Sequence, residues 1–211
     1  MNTKYITVVN NFNTLNRALL QSRGINSVNV IVVDNTLENK AISYRYNNVI
    51  KELLKESNSY WMLFCHQDFY IGEDLSLRLS NIDKNYIYGP IGRTSKGIVL
   101  GKILQTNGKP LGEECNNCEV ETLDAMCMIV HKDIIIRNKL LFDENFKFHF
   151  YVEDFSLQAR KKGIITKILQ MNCQHRSRFT YGIKDTEFYS SRDILIKKWK
   201  NVQTTTGYHH L

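Results

Sequence analysis

The stretch Val28-Asn29-Val30-Ile31-Val32-Val33-Asp34-Asn35-Thr36 is a β-branched run that breaks into three polar residues. Tyr60-Trp61-Met62-Leu63-Phe64-Cys65-His66-Gln67-Asp68 repeats the pattern. Between them Ile42, Tyr46, Val49, Ile50, Leu53 and Leu54 form one helical stripe, with Lys51, Glu52, Lys55 and Glu56 opposite. The first run predicts a strand buried on both faces, and the whole reads strand, helix, strand. Upstream, Ile6 to Val9 adds a strand closed by Asn10-Asn11-Phe12-Asn13, and Leu15, Ala18 and Leu19 keep helical spacing up to a stop at Gly24. Right-handed crossovers turn such a series into an α/β fold with a mostly parallel central sheet flanked by helices. Ligands of these sheets bind beyond the carboxyl ends of the strands, where Asp34 and Asp68 stand.

Residues 89–112 hold six of the eleven glycines and both prolines, which predicts loops and short strands flanking the site. Further on, the pattern predicts a strand at Met126 to Val130, a helix near Asp133 to Asn138 and a turn at Phe142 to Phe146. A helix from about Val152 to Gly163, a strand from Ile164 to Leu169 and a helix from Thr186 to Lys200 follow, the last with Phe188, Ile194, Leu195 and Trp199 inward. No linker divides the chain, so one domain over residues 1–211 is expected.

The composition, 43% hydrophobic and 23% charged, is that of a globular protein large enough to bury a core without staples. No segment approaches the ~20 apolar residues of a membrane helix, and Met1 to Tyr5 lack a secretory layout. A cytoplasmic protein is therefore expected. Five scattered cysteines predict free thiols, and Cys115 and Cys118 have the spacing of half a zinc knuckle whose other half is missing. The net charge of +7 is uneven, because eleven basic residues face three acidic ones between Arg160 and Lys200. Such a patch suits the phosphates of a nucleotide, an anionic lipid surface or a nucleic acid, and equally a solvated face. Phe179, Tyr181, Phe188 and Tyr189 lie in it without any nucleic-acid motif, so nucleic acid is not expected as a partner. No phosphate loop, G-x-G-x-x-G or G-x-S-x-G follows any strand.

Several polar side chains invite chemistry. Asp34 is placed either to cap a turn or to accept hydrogen bonds from a base or ribose. His66-Gln67-Asp68 offers a carboxylate for a divalent cation that also grips phosphates, or a surface turn. Glu153-Asp154 opens a helix, where acids are favoured by the dipole, and where one of them suits a general base. His175 is placed to complete a metal site with Asp68 or to meet a phosphate, and Arg176 and Arg178 suit bidentate diphosphate binding.

Phe142-Asp143-Glu144-Asn145-Phe146, followed by Phe150-Tyr151-Val152-Glu153-Asp154-Phe155-Ser156-Leu157-Gln158-Ala159-Arg160 and Lys161-Lys162-Gly163, resembles the F-D-E-x-F and E-D-x-x-L-x-x-R stretch of the inverting family 2 glycosyltransferases. These are GT-A-fold enzymes of bacterial polysaccharide synthesis. Val30 to Thr36 is similar to that family's strand-then-V-D-N, and Trp61 to Asp68 to its strand leading into the D-x-D metal motif. The resemblance implies inverting transfer from a nucleoside-diphosphate sugar, a UDP-sugar above all, to a saccharide or lipid-linked saccharide. It implies that Asp34, Asn35 and Asn11 meet the nucleotide, and that Asp68 with His175 holds Mn2+ or Mg2+. Arg176 and Arg178 would meet the diphosphate. Asp154, with Glu153 beside it, would be the base, and Asp124 and His66 would lie on the acceptor side. Two departures open the alternative of a non-catalytic nucleotide-sugar-binding relative. His66 replaces the first acid of the metal motif, and Val9 to Asn13 replaces a Pro-Thr-Tyr-Asn-like run. The basic C-terminal face is also a candidate for peripheral contact with the inner face of a membrane, although it contains no clear amphipathic anchor.

Overall fold

A computed structural model describes residues 3–176 and 186–205 of the chain. It opens with β1 (Thr3–Val9), α1 (Phe12–Arg17), β2 (Val30–Asp34), α2 (Ile42–Leu53) and β3 (Trp61–Cys65), the alternation expected from the sequence. Next come β4 (Phe69–Ile71), α3 (Ser76–Asn81) and β5 (Ile87–Gly89). The glycine-rich region yields short strands: β6 (Gly92–Arg93), β7 (Val99–Leu100), β8 (Ile103–Gln105), β9 (Pro110–Leu111), β10 (Glu119–Val120) and β11 (Thr122–Leu123). β12 (Cys127–His131), α4 (Lys132–Asn138), α5 (Tyr151–Lys161), β13 (Thr166–Ile168), β14 (Cys173–His175) and α6 (Thr186–Trp199) complete the described strands and α-helices, and a short 3-10 turn at Leu19–Gln21 follows α1.

The central sheet has the order β10-β13-β5-β12-β3-β1-β2. β1, β2, β3, β5 and β13 point one way; β12, inserted between β3 and β5, and β10 at the edge run against them. Strand alternation builds a core on each face. Met62 and Phe64 join Ile6, Val8, Tyr46 and Ile50 on one side, while Trp61, Leu63 and Cys65 join Tyr5, Val9 and Leu15 on the other. All five residues of β3 are buried, each large side chain contributing roughly 1.5–3 kcal/mol of apolar burial. Two small sheets, β11-β6-β7 and β4-β14-β8-β9, flank the central one.

Two expectations are corrected. β2 is not buried on both faces: it is an edge strand, and Val32 keeps 37% of its surface open. A β-branched run reads alike at an edge and in a centre, because the missing neighbour leaves no local trace. The cysteines are not all free thiols either, since Cys115 and Cys118 are joined in a disulfide. Asn117 takes a left-handed φ of 63° and folds the loop back until the two Cα atoms are 6.1 Å apart, within disulfide reach. Cys65, Cys127 and Cys173 remain free and buried.

Candidate functional site

β3 stops at Cys65, and the chain turns at once: the His66 N–H donates to the Met126 carbonyl and the Phe69 N–H to the His66 carbonyl. β4 then pairs antiparallel with β14, with Phe69 opposite His175. That register, fastened by the Arg176 N–H to the Asp68 carbonyl at 2.8 Å, carries His175 back over about a hundred residues of sequence to Asp68. His175 Nε2 lies 3.4 Å from Asp68 Oδ2. The potential ligand atoms of His66, Asp68 and His175 all fall within 4.8 Å of one another. His66 Nε2 is 2.9 Å from the Tyr151 hydroxyl, which donates to the Ala125 carbonyl at 3.3 Å. With the hydroxyl proton so placed, His66 donates from Nε2 and keeps its Nδ1 lone pair.

Electrostatics within the cluster are tightly linked. Burial pushes the His66 pKa down, helped by the charge of His175 and opposed by that of Asp68. Burial would raise the Asp68 pKa, but the hydrogen bond and charge of His175 outweigh it and hold the carboxyl below its usual range. Burial likewise works against protonated His175, and the Asp68 hydrogen bond and charge reverse the balance and raise it. Asp124 lies close enough to act on His66, His175 and Tyr151 through its charge. It is only partly buried, with Oδ1 accepting from the Met126 N–H at 3.0 Å.

Asp34 is exposed at the end of β2, its Oδ1 accepting from the Thr36 N–H at 2.9 Å and hydroxyl at 2.7 Å. Those bonds hold its pKa below the ordinary value. Asn35 is buried and inward: its Oδ1 accepts from the Lys40 N–H and Arg45 Nε, and its amide donates to the Lys40 carbonyl. It closes the loop after β2, leaving Asp34 as the outward group. Asn11 caps α1 by accepting from the Thr14 N–H. A residue given no role from the sequence, Gln67, ties this edge together, its Oε1 accepting from the Asn10 and Asn11 N–H groups at 3.2 and 3.0 Å. The Arg176 guanidinium lies 3.7 Å over the Tyr70 ring and donates to Gln174 Oε1 and the Arg17 carbonyl. Arg178 lies outside the described residues.

Glu153 and Asp154 have no exposed surface. Asp154 Oδ1 accepts from Trp199 Nε1 at 2.6 Å and Lys198 Nζ at 2.8 Å, and Oδ2 accepts from Gln158 Nε2 at 2.7 Å. The acid expected as a base is thus an internal anchor for α6 in this conformation. Lys198 also reaches Asp143 at 2.6 Å. A concavity of about 610 Å³ includes Arg23, Glu73, Arg78, Lys102 and Asn172 in its lining and none of the cluster residues.

No family model and no curated protein matches the sequence. Solved structures do match the fold. A crystal structure of GalNAc-T7 with UDP, GalNAc and Mn2+ aligns over 94% of this chain at a TM-score of 0.66 and 6% identity. Residues 1–349 of S. aureus TarS align over 93% of the chain, and 72% of that one, at 0.57 and 14% identity. The catalytic domain of Drosophila beta1,4galactosyltransferase 7, complexed with xylobiose, aligns over 91% of the chain and 80% of that domain, at 0.55 and 10% identity. The chain spans 48% of the GalNAc-T7 structure's length. It therefore has the GT-A fold of nucleotide-sugar glycosyltransferases, as its sequence resemblance implied. Among the described residues no helix is long and apolar enough to cross a membrane.

Proposed function

We propose that the chain is a glycosyltransferase that moves a sugar from a nucleoside-diphosphate sugar, a UDP-sugar foremost, to a saccharide or lipid-linked saccharide hydroxyl with inversion. Cell-surface polysaccharide synthesis, as in bacterial members of family 2, is the setting we infer from the sequence resemblance. The convergence of His66, Asp68 and His175 at the carboxyl edge of a GT-A sheet supports this most strongly. Further support comes from GalNAc-T7, whose matching structure contains UDP and Mn2+.

Two imidazoles and one carboxylate fit a divalent cation, and the nitrogen donors favour Mn2+ over the strictly oxygen-seeking Mg2+. Asp68 and His175 would hold it, with His66 contributing Nδ1. When bound, such an ion draws negative charge from the diphosphate leaving group. Asp34 would accept hydrogen bonds from the ribose or base, with Asn11 beside it, Asn35 keeping the loop in shape and Arg176 facing the diphosphate. In the transfer, the acceptor oxygen bonds to the anomeric carbon as the carbon–oxygen bond to the diphosphate breaks, and the bonding pair leaves with the phosphate. The acceptor proton passes to a carboxylate. We assign it to Asp124, which is partly open and beside the cluster; Asp154 would serve only after Lys198 and Trp199 swung away.

Calorimetry with UDP, GDP, dTDP and CDP, with and without Mn2+, tests the proposal on wild type and Asp68→Ala. We expect Mn2+-dependent binding of one nucleotide, lost in the variant. Absence of binding by all four would overturn it, and binding without transfer would leave a non-catalytic relative.

A further inference from the structure

Phe148 is a large apolar side chain with 47% of its surface open, in contact with His66 of the His66–Asp68–His175 cluster. One side of its ring stacks on His66, with centroids 5.9 Å apart and planes 17° from parallel. The ring is also the start of a continuous aromatic run. His149 meets Phe148 edge-on at 5.0 Å and Phe188 at 5.4 Å, and Phe188 meets Tyr189 at 5.5 Å. Phe188 is buried, but Tyr189 is 44% open, so the run surfaces at both ends.

The backbone beneath this run is held firmly. Lys147 accepts the Ile42 N–H at 2.8 Å, and Phe150 adopts φ 62°, a left-handed conformation that a bulky side chain takes only when its surroundings enforce it. The surroundings are evident: Phe150 is 1% exposed and packs on Phe188 at 5.2 Å. Segment 147–150 is therefore built in place, with its apolar ring left half in water at the edge of a polar cluster. What singles the ring out is its place: it is held rigidly, stacked on His66, with its exposed side at the mouth of the cluster.

We propose that Phe148 is the first platform of the acceptor subsite, and that the acceptor is an oligosaccharide whose next sugars run toward Tyr189. This rests on the glycosyltransferase reading and names its acceptor. The chemistry selects a saccharide. A pyranose presents weakly positive C–H groups on its faces and hydroxyls around its rim, and the negative face of an aromatic ring complements the former. His149 beside the ring and Asp124 beside the cluster supply polar groups for the latter. A stack on Phe148 sets a sugar directly beside the His66–Asp68–His175 cluster, where transfer would occur. A pre-formed platform also lowers the ordering cost of binding a flexible glycan.

The test is fluorescently labelled protein, loaded with Mn2+ and the nucleotide found by calorimetry, applied to a glycan array. The variants are Phe148→Ala, Phe148→Trp and Tyr189→Ala. Phe148 and Tyr189 are half-exposed, so both alanine variants keep the core, and unchanged nucleotide binding reports folding. We expect wild type to retain a family of oligosaccharides and Phe148→Ala to bind them about tenfold more weakly, the loss of one stacking contact. Phe148→Trp should restore binding. Tyr189→Ala should weaken long glycans and spare disaccharides. Retention unchanged in Phe148→Ala, or no glycan retained by a protein that binds nucleotide, would overturn the platform while leaving the donor site standing. Preference for single-stranded oligonucleotides over every glycan would overturn it too. Failure to bind any nucleotide would instead remove the glycosyltransferase reading itself.

Discussion

Three donors converge on the Asp154 carboxylate, whereas Asp124 gives one oxygen to a backbone N–H and keeps part of its surface open. Each bond to Asp154 occupies a lone pair that an acceptor hydroxyl would need. Asp124→Asn keeps the shape and removes the proton acceptor, so kcat should fall by about 10²–10⁴-fold with nucleotide affinity intact. Nucleotide-release kinetics beside calorimetry would check this, and a fully active Asp124→Asn would return the base to Asp154. Lys198 offers a different test. Its loss strips a charge partner from buried Asp154, and because Lys198 is itself partly open we expect a cost of roughly 2–3 kcal/mol rather than the ~3–5 of a fully buried pair. Burial alone would raise the Asp143 pKa, but Lys198 and the Asn145 hydrogen bonds bring it below the ordinary value. A depressed folded-state pKa stabilises above the unfolded value near ~4 and is lost as pH falls through the folded one. Lys198→Met should therefore lose less stability than wild type between about pH 5 and pH 3. Urea unfolding at both pH values measures it; equal losses in the two proteins would deny the coupling.

At the scale of elements, the glycine-rich region is held by close backbone approach. A Cβ on Gly101, at φ 88°, would sit 2.0 Å from the Pro90 carbonyl, whereas one on Gly108, at φ 76°, would meet nothing within 4 Å. Gly108→Ala should cost only the left-handed strain, about 1–2 kcal/mol. Gly101→Ala must also displace the backbone, so its melting temperature should fall further, by about 2–4 °C for each additional kcal/mol. Equal melting temperatures would show that the approach is not tight. The first three strands and α2 were legible in the sequence because each is a local run or stripe. The antiparallel insertion of β12 and the pairing of β14 with β4 were not, since both are settled by contacts between distant segments. The candidate site divides in the same way. Asp34 and Asp68 announced themselves at strand ends, and the sequence resemblance suggested His175. Yet Asp154 in a first helical turn reads the same as a base or as an anchor, and only its distant donors Lys198 and Trp199, the latter 45 residues away, separate the two.

Over the whole molecule, several of the described basic side chains between Arg160 and Lys200 already have partners. Arg160 pairs with Glu119 at 2.9 Å, Lys198 with Asp143 and Asp154, Lys167 lies over Tyr86 and Arg176 over Tyr70. We expect no retention of single-stranded DNA in filter binding even at low salt; retention that falls steeply with added salt would reveal a phosphate-tracking face. The antiparallel pairing that carries His175 to Asp68 has a further consequence for the chain during its synthesis. A ribosome adding ~5–20 residues each second makes the chain wait several seconds between the two residues. Until β14 emerges, Asp68 has no imidazole opposite it in the small sheet, and until α6 docks the carboxylate of Asp154 has neither Lys198 nor Trp199. An unfinished chain therefore has the His66–Asp68–His175 cluster incomplete and the Asp154 carboxylate without two of its three donors.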